Sequence, residues 1–223
     1  MIKAIIYKEW LKTRYFVAFI VLVGLAIHIY SFLTIGHSFR NTGRAELWDL
    51  IVNRSHFIFP SLKYFPLFAG LLIGVTQMVP EMVDKRLKLT MHLPVREKTM
   101  TTYLIAYGLI LLTTVFILFN VVLATFLHLN FAWEITATTL STTLVWYLSG
   151  LAAYLLSVFC ITEPTWKRRI PNILLSLLLL HFFFITDYPA AYGYFTFGLV
   201  LLILIYSTFI YNSIHRFKTG YQD

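Results

Sequence analysis

Residues 102–127 read TYLIAYGLILLTTVFILFNVVLATFL, without an Asp, Glu, Lys or Arg. At 1.5 Å per residue a helix over this stretch is about 39 Å long. The hydrocarbon core of a bilayer is about 30 Å thick. A helix that is apolar all round cannot lie on a water-facing surface, so it belongs inside a membrane or deep in a large core. Five more runs of this kind follow from the same reading, at 15–35, 57–79, 136–160, 170–186 and 192–212. Hydrophobic residues make up 59% of the 223-residue chain and charged residues 13%, against about a quarter charged in a soluble domain. One core of this size cannot hide six such runs. The sequence therefore predicts an all-α membrane protein, a six-helix bundle in which 1–223 is a single domain. The fifth run is the shortest, and it forms with the sixth a candidate for a partly re-entrant pair.

The net charge of +8 does not indicate nucleic acid, because the basic residues flank the apolar runs instead of forming one continuous face. Fourteen of the eighteen Lys and Arg fall in alternate gaps: Lys3, Lys8, Lys12 and Arg14; Lys85, Arg86, Lys88, Arg96 and Lys98; Lys167, Arg168 and Arg169; Arg216 and Lys218. The opposite side holds Arg40, Arg44, Arg54 and Lys63, the last of them inside the run at 57–79. The positive-inside rule then places both termini in the cytoplasm, which requires an even number of crossings. The N-terminal run lacks the small-residue cleavage site of a removable signal. Cys160 is the only cysteine, so neither an intrachain disulfide nor a cysteine metal cluster can form.

Three segments outside the runs have helical character. In residues 1–14, Ile2, Ile6 and Trp10 recur four apart, while Lys8 and Lys12 share another face. Glu9 falls near the apolar side and spoils the pattern. This segment is expected to be an interfacial helix whose lysines reach anionic headgroups of the bilayer. Residues 44–53 carry Glu46, Asp49 and Asn53 on one stripe and Leu47, Leu50 and Ile51 on the other, as expected of an external amphipathic helix. In residues 80–95, Pro80 suits a first helical turn and Glu81 and Asp84 suit its dipole. Glu81–Lys85 and Asp84–Lys88 are paired at i,i+4. Val83, Leu87 and Met91 form an apolar stripe, and Pro94 ends the segment.

In the order of these parts the chain resembles the ABC-2 type permeases of ATP-binding cassette transporters. The resemblance rests on Lys8-Glu9 and Arg14 ahead of the first run, and on Glu81 with basic residues after the second, followed by Leu93-Pro94-Val95-Arg96. It implies that Lys8, Glu9, Trp10, Lys12 and Arg14 belong to an elbow helix. It also implies a coupling segment in which Glu81, Lys85, Arg86, Leu87, Leu93, Pro94, Val95 and Arg96 contact an ATPase subunit. The chain has no Gly-x-x-x-x-Gly-Lys-Ser/Thr loop, so ATP and Mg are expected on that partner and no cofactor on this chain. The implied assembly has two ATPase copies and a second permease copy or a paralogue, in the bacterial cytoplasmic membrane. An alternative keeps the ATPase but uses its stroke on a periplasmic partner through 44–53. The short gap between the last two runs and the enlarged first external gap depart from many exporters of the family.

Other residues carry weaker signals. Lys63 is either a binding charge for an anionic substrate or a lysine snorkelling at the outer end of a span that begins at Tyr64; Pro60 and Pro66 favour the second. Gly70 and Gly74 permit close helix approach, within the subunit or at a dimer seam. His28 and His181 have no partner at helical spacing for a metal or haem. Asn120, Ser141, Thr142 and Thr143 can bond between helices, and Trp133, Trp166 and Tyr188 read as interfacial belts. Glu134 and Asp187 are isolated. No catalytic pair, Gly-x-Ser-x-Gly elbow or His-Glu-x-x-His motif is present, so no catalytic or metal site is expected and an intramembrane hydrolase or haem subunit is the remote alternative.

Overall fold

The structure, a computed structural model, describes residues 2–41, 59–84, 86–91, 96–186, 188 and 190–219. Every regular element among them is helical: α1 (Ile2–Asn41), α2 (Phe65–Val83), α3 (Arg86–Met91), α4 (Glu97–Asn130), α5 (Trp133–Thr162), α6 (Trp166–His181), α7 (Phe195–Ser207) and α8 (Phe209–Lys218). Short 3-10 turns at Pro60–Leu62 and Phe182–Phe184 precede α2 and follow α6. Five helical runs among the described residues are long and apolar enough to cross a membrane: Lys3–Ser38, Pro60–Val83, Glu97–Asn130, Trp133–Thr162 and Phe195–Lys218. This fits a multi-pass membrane protein. The expected crossing at 170–186 corresponds to α6 and its 3-10 turn. At 16 residues α6 is about 24 Å long, short of the hydrocarbon core.

The bundle is organised around α5, whose interior face is rich in small residues. Ser149, Gly150, Ala152, Ala153 and Ser157 are all buried. They let α2 approach closely: a Cβ on Gly70 would stand 1.9 Å from the Gly150 carbonyl oxygen, and one on Gly74 would stand 1.8 Å from Ser157 Oγ. The glycine pair is thus packed inside the subunit. On the other side of α5, Tyr154 fills the space left by Gly108 of α4. Ile73, Leu104, Leu112 and Tyr154 form the centre of the core. A smaller cluster of Ile35, Phe59, Leu62, Leu123, Leu127 and Trp146 closes the opposite end. The turn leading into α7 is held where Ala190, at φ 56°, donates its N–H to Thr142 Oγ1 at 2.8 Å.

Two expectations change. Residues 2–14 do not form a separate elbow, because α1 runs unbroken from Ile2 to Asn41. Nothing in the sequence between Arg14 and Tyr15 breaks a helix, and Glu9 and Thr13 are drawn into the bundle with the rest. Pro80 does not start a cytoplasmic helix either; it lies inside α2. An interior proline costs about 3 kcal/mol, and here the helix is held beyond it by ion pairs to α1. Consequently Glu81 and Asp84 sit at the negative end of a helix dipole, and each is matched by cations described below. The segment 44–53, Lys85, Leu93, Pro94 and Val95 lie outside the described residues.

Candidate functional site: an ionic layer at one end of the bundle

Charged side chains gather where α1 and α4 begin and α2 and α5 end. Lys8, Glu9, Lys12 and Thr13 occupy neighbouring turns of α1. Gln77 and Glu81, one turn apart, face them from α2. Glu9, Thr13, Gln77 and Glu81 are fully buried. Glu81 Oε1 lies 2.8 Å from Lys8 Nζ and 2.8 Å from Lys12 Nζ. Lys12 also stands 2.8 Å from Glu9 Oε1 and donates to the Gln77 carbonyl at 3.3 Å. Lys12 therefore bridges two carboxylates on two helices. The cluster holds two acids and two bases, so it is neutral as a unit, and burial of that kind is tolerated only while every charge keeps its partner.

The layer extends through neutral groups. Gln77 Nε2 donates to the Leu104 carbonyl at 2.8 Å. Tyr154 donates to Gln77 Oε1 at 2.8 Å and to the Ile105 carbonyl at 3.2 Å. Thr13 bonds Tyr107 at 2.8 Å and donates to the Glu9 carbonyl. Four long helices are thereby tied at one level. Two oxygens, Glu9 Oε2 and Glu81 Oε2, have no hydrogen-bond partner among the described residues. Glu9 Oε1 is close to Lys12 yet poorly aligned for a hydrogen bond.

A second tie fastens the C-terminal helix. Glu163, buried in the α5–α6 turn, accepts from Ser213 Oγ at 2.7 Å and pairs with Arg216. Its backbone carbonyl accepts from Arg169 Nε at 3.1 Å. Burial pushes the Glu163 carboxyl up, but the Arg216 guanidinium and the Ser213 hydroxyl overcome this and hold it below the usual carboxylate range. Nearby, Glu97 at the start of α4 pairs with Lys218, and His215 lies 3.5 Å from it.

The residues proposed from sequence fall into distinct places. Lys8 and Lys12 reach Glu81 instead of pointing only to headgroups, and Glu9 faces inward with Lys12. Trp10 and Arg14 point outward; Arg14 stacks over Tyr15, 4.6 Å from its ring. Glu81 and Leu87 are fully buried, so neither presents a free side chain to another protein in this arrangement. Arg86 and Arg96 are exposed, and Arg86 pairs with Asp84 at 2.8 Å. Lys63 stands in the bend before α2, 5.4 Å from the Tyr64 ring centre. Glu163 and Arg216 were not singled out from sequence. The available signal was Glu163 standing alone between an apolar run and three basic residues.

His28 is buried, with Nδ1 2.7 Å from the Gly24 carbonyl and its ring stacked on Phe119. Among the described residues no group of three or more His, Cys, Asp or Glu is placed to hold a metal. Cys160 is buried with Sγ 3.3 Å from Ser176 Oγ.

These features define a helical protein with several membrane-crossing-length helices, stapled by buried ion pairs at the end that carries its basic clusters. No family model matches the chain, and no curated protein or solved structure is found to be similar to it.

Proposed function

We propose that this chain is the membrane-embedded subunit of an ABC-2 type transporter, moving a substrate across the bacterial cytoplasmic membrane with ATP hydrolysed by a separate subunit. The observation that carries the reading is the clamp of Glu81 by Lys8 and Lys12. It joins the end of α2, and the short α3 beyond it, to the start of α1. A force applied at α3 by a cytoplasmic motor then moves two long helices together, since packed helices shift as rigid bodies. Under this reading α6 with Phe182–Phe184 completes six crossings, and both termini face the cytoplasm. Arg86 and Arg96 are the exposed groups offered to the ATPase, while Glu81 and Leu87 transmit force from inside. The ATPase, present in two copies, supplies the ATP and Mg.

Affinity purification of the full chain from its own membranes tests this. We expect a nucleotide-hydrolysing subunit to copurify, and Arg86→Glu with Arg96→Glu to release it while the chain stays folded. A chain that copurifies without any ATPase, even after crosslinking in the intact membrane, refutes the proposal.

A further inference from the structure

Helices α4 and α5 are joined by a turn at Phe131–Ala132 and share an outward groove of about 350 Å³. Its walls include Ile117, Val121, Leu144 and Leu148, and at its floor stand Asn120 and Tyr147. The wall residues Ile117, Val121 and Leu144 are about half exposed. The Tyr147 hydroxyl is buried and has no hydrogen-bond partner among the described residues. Asn120 likewise makes no side-chain hydrogen bond among them. Several other polar residues of α4 are satisfied within the helix. Thr114, Thr125 and Asn130 each donate to the carbonyl four residues back, at 2.8, 2.9 and 2.8 Å.

Depth narrows what can satisfy these groups. Asn120 is ten residues and Tyr147 fourteen residues from the ends of α4 and α5 that meet at the turn. That places them about 15 and 21 Å below it, near the middle of a hydrocarbon core about 30 Å thick. Lipid headgroups lie out of reach at that level, and polar groups facing lipid tails gain by finding another helix. An amide carries both donors and an acceptor. Two Asn120 side chains related by a two-fold axis therefore satisfy each other, as an isologous interface requires.

We infer that the α4–α5 groove is the membrane seam between two copies of this chain, with Asn120 paired across the axis and Tyr147 beside it. This deepens the permease reading by locating the contact between its two copies, and it rests on that reading for the second copy. The exposed apolar walls of one copy fill the groove of the other.

The test uses full-length protein in lipid bilayers, in a Cys160→Ser background that removes the only native thiol. Single cysteines are placed at Asn120→Cys, Leu144→Cys and, as a control on the far side of α4, Leu118→Cys. Oxidation or a short bifunctional thiol reagent should link copies through positions 120 and 144 and leave 118 monomeric. Asn120→Leu should weaken association about tenfold, the effect of losing a reciprocal pair of interhelical hydrogen bonds, without lowering the melting temperature of the monomer. Asn120→Gln should retain dimers. Linking at 118 as readily as at 120 overturns the inference. So does a groove that stays unlinked because it holds a lipid tail or a transported molecule. A missing link in a chain that still copurifies with an ATPase would sink the seam alone. A link without any ATPase would sink the permease reading alone.

Discussion

Adding one methyl group at Gly70 should separate α2 from α5. Its Cβ would lie 1.9 Å from the Gly150 carbonyl oxygen, whereas real Cβ atoms essentially never come closer than 3.0 Å. The helices must part by about an ångström, and the obstacle is backbone, which cannot rotate away as a side chain can. Intrinsic propensity pulls the other way, since alanine favours a helix by about 0.8–1.0 kcal/mol over glycine. Gly36, on α1, provides the matched control, because a Cβ there meets nothing within 4 Å. Gly36→Ala should therefore be neutral or stabilising by up to about 1 kcal/mol. Gly70→Ala carries the same gain against an overpacking cost of about 1–3 kcal/mol, and should lose up to about 2 kcal/mol net. For a chain of this size that is a fall in melting temperature of up to roughly 8 °C. Thermal unfolding of the purified chain in detergent, followed by circular dichroism, gives the comparison directly. If Gly70→Ala and Gly36→Ala melt together, the close crossing of α2 and α5 is not what holds the bundle.

The ionic layer makes further predictions. Lys12→Met should cost about 3–5 kcal/mol by leaving buried carboxylates short of a cation, and adding Glu9→Gln should restore part of the loss by returning the cluster to neutrality, read from the same melts. Simple additivity of the two losses would show that Lys12 does not bridge them. Glu163 contributes stability that is fully present above the ordinary carboxylate range and is lost as pH falls through its lowered value. Glu163→Gln should therefore flatten the acid side of the stability profile and expose the C-terminal helix to proteolysis at neutral pH; an unchanged acid limb would contradict the tie to Arg216. Cys160, buried against Ser176, should react with a membrane-permeant maleimide only on unfolding, and stoichiometric labelling of the native chain would argue against its position.

The fold class was legible because apolar length is a local property. The run at 102–127 needs no partner to declare itself, and α4 spans it entirely. Gly70 and Gly74 announced close packing, but the residues they meet, Gly150 and Ser157, lie about eighty residues away and no spacing rule connects them. The sharpest miss was informative. Glu9 looked like a flaw in an interfacial helix because a single-helix wheel has only one inside, set by lipid. Once α2 supplies Glu81 and α1 supplies Lys12, the same position becomes the interior of a charge cluster. Pro80 misled for a related reason: its local preference for a first turn was outweighed by ion pairs to another helix. Glu163 and Arg216, 53 residues apart, could be joined only by the return of α8 to the end of α5.

The chain's own letters settled that it is helical, strongly apolar and basic at alternate gaps, because hydropathy and charge act residue by residue along each segment. Tertiary structure alone decided which charges are neutralised indoors and which face outward. A carboxylate's surroundings depend on the helices packed around it, and that packing is fixed by small-residue contacts between distant parts of the chain.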